Sequence, residues 1–143
     1  MYLTTKHFGE IEYDEQTIIN FADGLPGFSE ATQFVLINEV DDVDDGLFYW
    51  LQCVDDSELA FALIDVYQVI PDYNPMVDRN EIASLGDYNP DNFLIYNVVV
   101  LPENIKNMSV NLLAPVVINP DTRKGKQVIA QNDSYGVRHL VFE

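Results

Sequence analysis

Two histidines, one cysteine and 24 carboxylates are the side chains of this 143-residue chain best suited to acid–base, nucleophilic or metal chemistry. His7 and His139 show no HxH, HxxxH or HExxH spacing, and Cys53 has no second thiol with which to build a zinc site. A structural or surface role is the simpler assignment for each histidine. Cys53 follows Trp50, Leu51 and Gln52 in an apolar run and reads as a small buried side chain. No G-x-S-x-G, P-loop or G-x-G-x-x-G pattern is present. With so many acids some must lie close together, so a carboxylate pair says little about general acid–base catalysis.

The densest acidic stretch runs from Glu39 to Glu58 and holds Glu39, Asp41, Asp42, Asp44, Asp45, Asp55, Asp56 and Glu58 without a Lys or Arg. Asp41 to Gly46 superficially resembles a calcium loop. If Gly46 takes the sixth position, however, the third is Val43 and the twelfth is Gln52, and neither is an acid. A solvated acidic loop is the preferred reading, with weak cation or partner binding left open. No catalytic constellation, cofactor or metal site emerges, and the chain reads as a non-enzyme.

The elements that must position these residues are mostly strands. Val and Ile together number 27 and Phe and Tyr 16, against 7 Ala, a balance suited to pleated, half-buried surfaces. Glu10 to Tyr13 alternates polar and apolar, Asp14-Glu15 reads as a turn, and Thr17 to Phe21 as the next strand. Further strands are predicted at Phe34 to Asn38, Phe48 to Val54, Ala60 to Ile64, Phe93 to Leu101, Val110 to Asn119, Gln127 to Gln131 and Val137 to Phe142. Asp121 to Lys126 reads as a hairpin loop with Gly125 at a positive φ. One short helix is predicted over Arg79 to Leu85, opened by the capping pair Asp78 and Glu81 and closed by Gly86. The pattern predicts a mainly β, single-domain chain over residues 1–143: a small antiparallel barrel or sandwich with one short helix.

The charge limits the partners. Seven Lys and Arg against 24 Asp and Glu leave −17 at pH 7. Such a surface repels phosphate backbones and anionic lipid, so neither nucleic acid nor membrane is expected as a direct partner, whereas a basic protein is. No basic flank and apolar run mark a signal peptide, and a lone cysteine suits a reducing compartment. A cytoplasmic location is expected.

Gly24-Leu25-Pro26-Gly27-Phe28 carries a different signal. Pro26 fixes φ and Gly27 supplies the positive φ of a type II turn, so Leu25 and Phe28 could anchor a rigid corner in the core. The other reading is a rigid loop that shows Phe28 to a partner.

These five residues resemble the GLPGF turn of the FliW family of flagellar assembly factors. Leu51-Gln52 with Leu59-Ala60-Phe61 is similar to the family's LQS…LAF strands, and Asp72-Tyr73 to the aromatic segment before its short helix. Asn111 to Asn119 resembles its N-L-x-A-P-[IV]-V-I-N strand, while Gly125 to Ile129 and Tyr135 to His139 resemble its closing hairpin. Cys53 stands where Ser is common, Val66 where Pro is, and Ala130 where Leu is; none of the three removes a charge or a motif glycine.

The resemblance implies a β-barrel-like protein without enzymatic activity that binds flagellin in the cytoplasm. When free, it captures CsrA and relieves repression of flagellin mRNA translation. It is expected to be monomeric when free. A partner at −17 would be steered towards the positive surface that an RNA-binding protein presents. Candidate contact residues are Phe28, the loop acids Asp41, Asp42, Asp44 and Asp45, and the motif polar residues Asn111, Asn119 and Arg138. Asn119 could instead cap a strand end, and Arg138 could instead pair with a carboxylate. The competing readings are an acidic nucleic-acid mimic that inhibits another basic protein, and a carboxylate-based barrel enzyme or small-ligand carrier.

Overall fold

The computed structural model describes residues 2–5, 9–25, 27–37, 48–83, 85–86, 93–100 and 105–140. Its strands are β1 (Tyr2–Thr5), β2 (Gly9–Glu12), β3 (Ile19–Asn20), β4 (Gln33–Ile37), β5 (Phe48–Cys53) and β6 (Ala60–Ile64), then β7 (Leu94–Val100), β8 (Ser109–Val110), β9 (Val116–Asn119), β10 (Lys124–Gln127) and β11 (His139–Leu140). The single α-helix among the described residues, α1 (Arg79–Ala83), opens with the Asp78 carboxylate accepting the Asn80 N–H, and Gly86 beyond it takes φ 107°.

The ring runs β3, β4, β5, β6, β7, β9, β10 and back to β3, closing a barrel that removes the free edges of its sheet. Its pairings are antiparallel except β3 with β10, which meet in parallel at Asn20 and Lys124. Ile19, Phe21, Leu25, Phe34, Leu51, Leu63, Val116 and Ile118 form one buried cluster. A second cluster collects Ile64, Val66, Tyr73, Met108, Val110 and Leu112, and a third sets Ile82 and Leu85 against Val117 and Val128. Lys126 Nζ, 2.7 Å from Glu81, ties α1 to β10.

The strand predicted over Gln127 to Gln131 lies three residues earlier as β10, overlapping the predicted hairpin loop, and the closing strand begins only at His139; three further local expectations change. Residues 9–12 pair with β1, and Glu15–Thr17 forms a 3₁₀ turn that leaves only Ile19–Asn20 of the strand expected over Thr17 to Phe21. Asp14 drives this by accepting the Gln16 N–H on its side chain. In the β9–β10 hairpin it is Arg123, at φ 56°, that takes the left-handed conformation. Gly125 lies within β10 for a different reason: a Cβ there would fall 2.6 Å from the Phe21 ring.

The third change concerns 110–119, which is two strands. β8 and β9 lie along the same side of β7, Val99 opposite Val110 and Tyr96 opposite Val116, so five residues of one chain face two of the other. Asn111 turns the chain outward, its Oδ1 accepting from Leu113 N (3.1 Å) and Ala114 N (3.0 Å). Pro115 then lacks the N–H a continuous ladder needs. Asn97, fully buried, fills the gap by donating to Asn111 O (2.8 Å) and to the Tyr73 hydroxyl (3.1 Å), which itself donates to Leu112 O (2.7 Å). The C-terminal segment covers the turn as Leu112 N–H meets Gly136 O and Ala130 N–H meets Leu113 O.

Burial pushes the Tyr73 and Tyr96 phenols up to about 12; Asn97 partly opposes this at Tyr73, and Tyr49 and Asp65 add to it at Tyr96. An unfolded tyrosine loses its proton near pH 10, roughly two units earlier, so the unfolded chain binds fewer protons between those values. The stabilisation is therefore whole below about pH 10 and lost as pH rises towards about 12. Urea midpoints should drop across that window and vary little from the two phenols just below it. A midpoint unchanged through the window would contradict these burial assignments.

Candidate partner-binding site

Antiparallel pairing of β4 with β5 sets Phe34 opposite Cys53, and Val54 N–H reaches Gln33 O at 2.9 Å. The start of β4 and the end of β5 thus share one end of the barrel. The turn that enters β4 and the loop that leaves β5 must lie side by side there. Between them is a groove of about 400 Å³ lined by Gly27, Phe28, Ser29, Glu30, Ala31, Cys53, Asp55, Asp56 and Leu59.

The turn forms one wall. Gly24 and Gly27 take φ 63° and 83°, values that need glycine, and Leu25 and Phe28 exchange both backbone hydrogen bonds at 3.3 and 2.7 Å. Leu25 is buried, but Phe28 is not the core anchor its spacing suggested: its residue is 44% exposed. The Phe28 ring stands edge-on to Phe61 at 5.4 Å, Phe61 tilts against Phe34 at 6.1 Å, and Phe34 meets Phe21 edge-on at 5.4 Å. A chain of rings therefore runs from the core to the surface and holds the exposed aromatic in place.

The opposite wall is acidic, and a buried amide shapes it. Gln52 is fully buried, and its Nε2 lies 3.1 to 3.4 Å from the carbonyl oxygens of Cys53, Asp56, Ser57 and Leu59. The loop is wrapped around that donor, which turns its side chains outward. Asp55, Asp56 and Glu58 are exposed, as is Glu30 across the groove, and Asp56 Oδ1 caps the Glu58 N–H at 3.0 Å. Among the described residues no Lys, Arg or His pairs with any of these four. Leu59, half-buried, contributes apolar surface to the lining between the walls, whereas Cys53 is buried.

The other candidates lie elsewhere. Asp41, Asp42, Asp44 and Asp45 fall outside the described residues. Asn111 is half-buried and engaged in the turn described above. Arg138 is exposed one residue before β11, near the same end of the β8–β11 pair as Asn111, with no carboxylate pairing with it among the described residues. Asn119 is 1% exposed, donates to Leu85 O at 3.0 Å and accepts from Asp121 N at 3.0 Å. Its surroundings give it the role of a strand-end cap that fastens the end of α1. Asn119→Ala should lower stability by roughly 2 kcal/mol, because the Asp121 N–H loses its acceptor and the Leu85 carbonyl keeps only the Thr122 hydroxyl as donor, whereas Arg138→Ala should stay within about 0.5 kcal/mol. Urea unfolding of both variants checks this; equal effects would contradict it.

Glu30, Ala31 and Leu59 are groove residues that composition did not single out. Only the β4–β5 register, which brings two separate loops together, could have marked them.

Comparison with known proteins gives a coherent result. A family model described as FliW protein matches residues 2–141. The chain is similar to the flagellar assembly factor FliW of Alkaliphilus metalliredigens (strain QYMF), 41% identical over all of this chain and 87% of the relative. It is also similar to that of Thermoanaerobacter pseudethanolicus (strain ATCC 33223 / 39E), 39% identical over all of this chain and 94% of the relative. A crystal structure of the flagellar assembly factor FliW superposes with a TM-score of 0.90 at 34% identity, covering 100% of this chain and 98% of that one.

Proposed function

This chain belongs to the FliW family, and we propose that it acts as a cytoplasmic binding protein coupling flagellin supply to flagellin synthesis. It holds flagellin while flagellin is plentiful. Once export removes flagellin, the freed protein captures CsrA and lifts its block on flagellin mRNA. The cycle needs two protein contacts and no chemical step, so the protein works without catalysis, metal or cofactor.

Family membership carries this reading, and the charge of −17 supports its second half. A repressor that grips RNA must present positive surface. An acidic partner attracts that surface over a Debye length while repelling the RNA that competes for it. Among the described residues no helix is long and apolar enough to cross a membrane.

Recovery from cytosol tests the reading. Immobilised protein should retain flagellin from cells whose export is blocked, and CsrA from cells that lack flagellin. Retention of unrelated basic proteins alone would favour a general acidic mimic instead.

A further inference from the structure

The groove between residues 27–31 and the loop after β5 joins two properties. It presents a half-exposed aromatic ring held by a file of rings from the core, beside the half-buried Ala31 and Leu59. It is also bordered by Glu30, Asp55 and Asp56, with the exposed Glu58 further along the same loop, and none of the four has a cation partner among the described residues. Uncompensated carboxylates around a concave surface that carries an exposed aromatic ring concentrate negative potential where an apolar side chain could enter. Rigid aromatics in such positions supply affinity because little conformational freedom is lost on binding. A phosphate-bearing ligand would be repelled here, and a purely apolar segment would leave the four acids without partners.

We infer that this groove is the docking site for the basic partner. It takes a protein segment in which one aliphatic or aromatic side chain, set beside Phe28, is flanked by Lys or Arg reaching Glu30 and Asp55. The inference rests on the reading of a CsrA-binding protein given above and assigns that contact to one end of the barrel. Phe28 governs how long the complex lasts, and the acids govern how fast it forms.

The test uses purified full-length chain and purified CsrA, with affinities measured for wild type, Phe28→Ala and the double variant Glu30→Lys with Asp55→Lys. The substituted side chains are exposed, and neither Glu30 nor Asp55 makes a side-chain hydrogen bond or ion pair among the described residues, so the folds should survive; thermal unfolding checks this. Each variant should bind CsrA at least tenfold more weakly. Wild type that binds CsrA together with folded variants that bind equally well overturns the groove and leaves the wider reading standing. Wild type that does not bind CsrA overturns both. Amide chemical-shift mapping of the wild-type protein on titration with CsrA makes the result independent of the variants. Shifts centred on residues 27–31 and 53–59 support the assignment, and shifts confined to other surfaces overturn it.

Discussion

Gly24→Ala is expected to lower the unfolding free energy by roughly 3 kcal/mol, the largest loss anticipated for a single methyl group in this chain. Two effects add. Gly24 has φ 63°, where an alanine is strained by about 1 kcal/mol relative to glycine. An added Cβ would also lie 2.3 Å from Phe28 O and 2.7 Å from Ser29 Cα, both backbone atoms that cannot rotate away. The turn would have to open, at the expense of the Leu25–Phe28 hydrogen bonds and the edge-on contact of Phe28 with Phe61. Gly27→Ala is the internal control. Its φ of 83° is equally left-handed, but a Cβ there meets nothing within 4 Å, so the loss should stay near 1 kcal/mol. Urea midpoints of the two variants measure the difference. Equal midpoints would mean that the close approach at Gly24 is not what shapes the turn.

The second large effect concerns ionic strength. Association with CsrA should slow at least tenfold as salt rises from about 10 mM to about 150 mM, while dissociation changes much less. Over that range the Debye length falls from about 30 Å to about 8 Å, and the steering field of a chain at −17 collapses to short range. The apolar contacts proposed for Phe28 would form only after docking and be screened little. Stopped-flow measurement across a salt series separates the two rates. An association rate independent of salt would assign the acidic surface to another purpose, such as solubility.

Much of the barrel was legible from alternation and turn chemistry. The strands at 33–37, 48–53, 60–64 and 94–100 sit within a residue of their expected bounds, because β-branched runs between polar breaks leave few alternatives. Failures arose where side chains compete with the backbone ladder. Asn111 accepts two backbone N–H groups and splits what the apolar run suggests is one strand. Asp14 converts the start of another strand into a 3₁₀ turn. Gly125 is a glycine for space beside Phe21, a tertiary cause that no local pattern displays. Closure through a parallel β3–β10 pair is likewise non-local.

The site was only half legible. The unusual density of Gly and Pro beside an aromatic marks Phe28, while charge counting marks the whole Glu39 to Glu58 stretch and points within it to Asp41, Asp42, Asp44 and Asp45, not to Asp55 and Asp56, which line the groove. Nothing in the order of residues says that these two features face each other, because the β4–β5 register places them. Asn119 was left between two roles by its sequence, contact residue or strand-end cap, and its buried amide, bonded to Leu85 and Asp121, fits the cap.

The central claim is that this chain, when free, disarms a translational repressor and is itself withdrawn by flagellin. A reconstituted translation reaction programmed with a flagellin leader and repressed by CsrA tests that directly. Adding the purified chain in equimolar amount to CsrA should restore translation, and adding flagellin in excess should return the reaction to the repressed state. Translation that stays repressed at every ratio of the chain to CsrA would contradict the account.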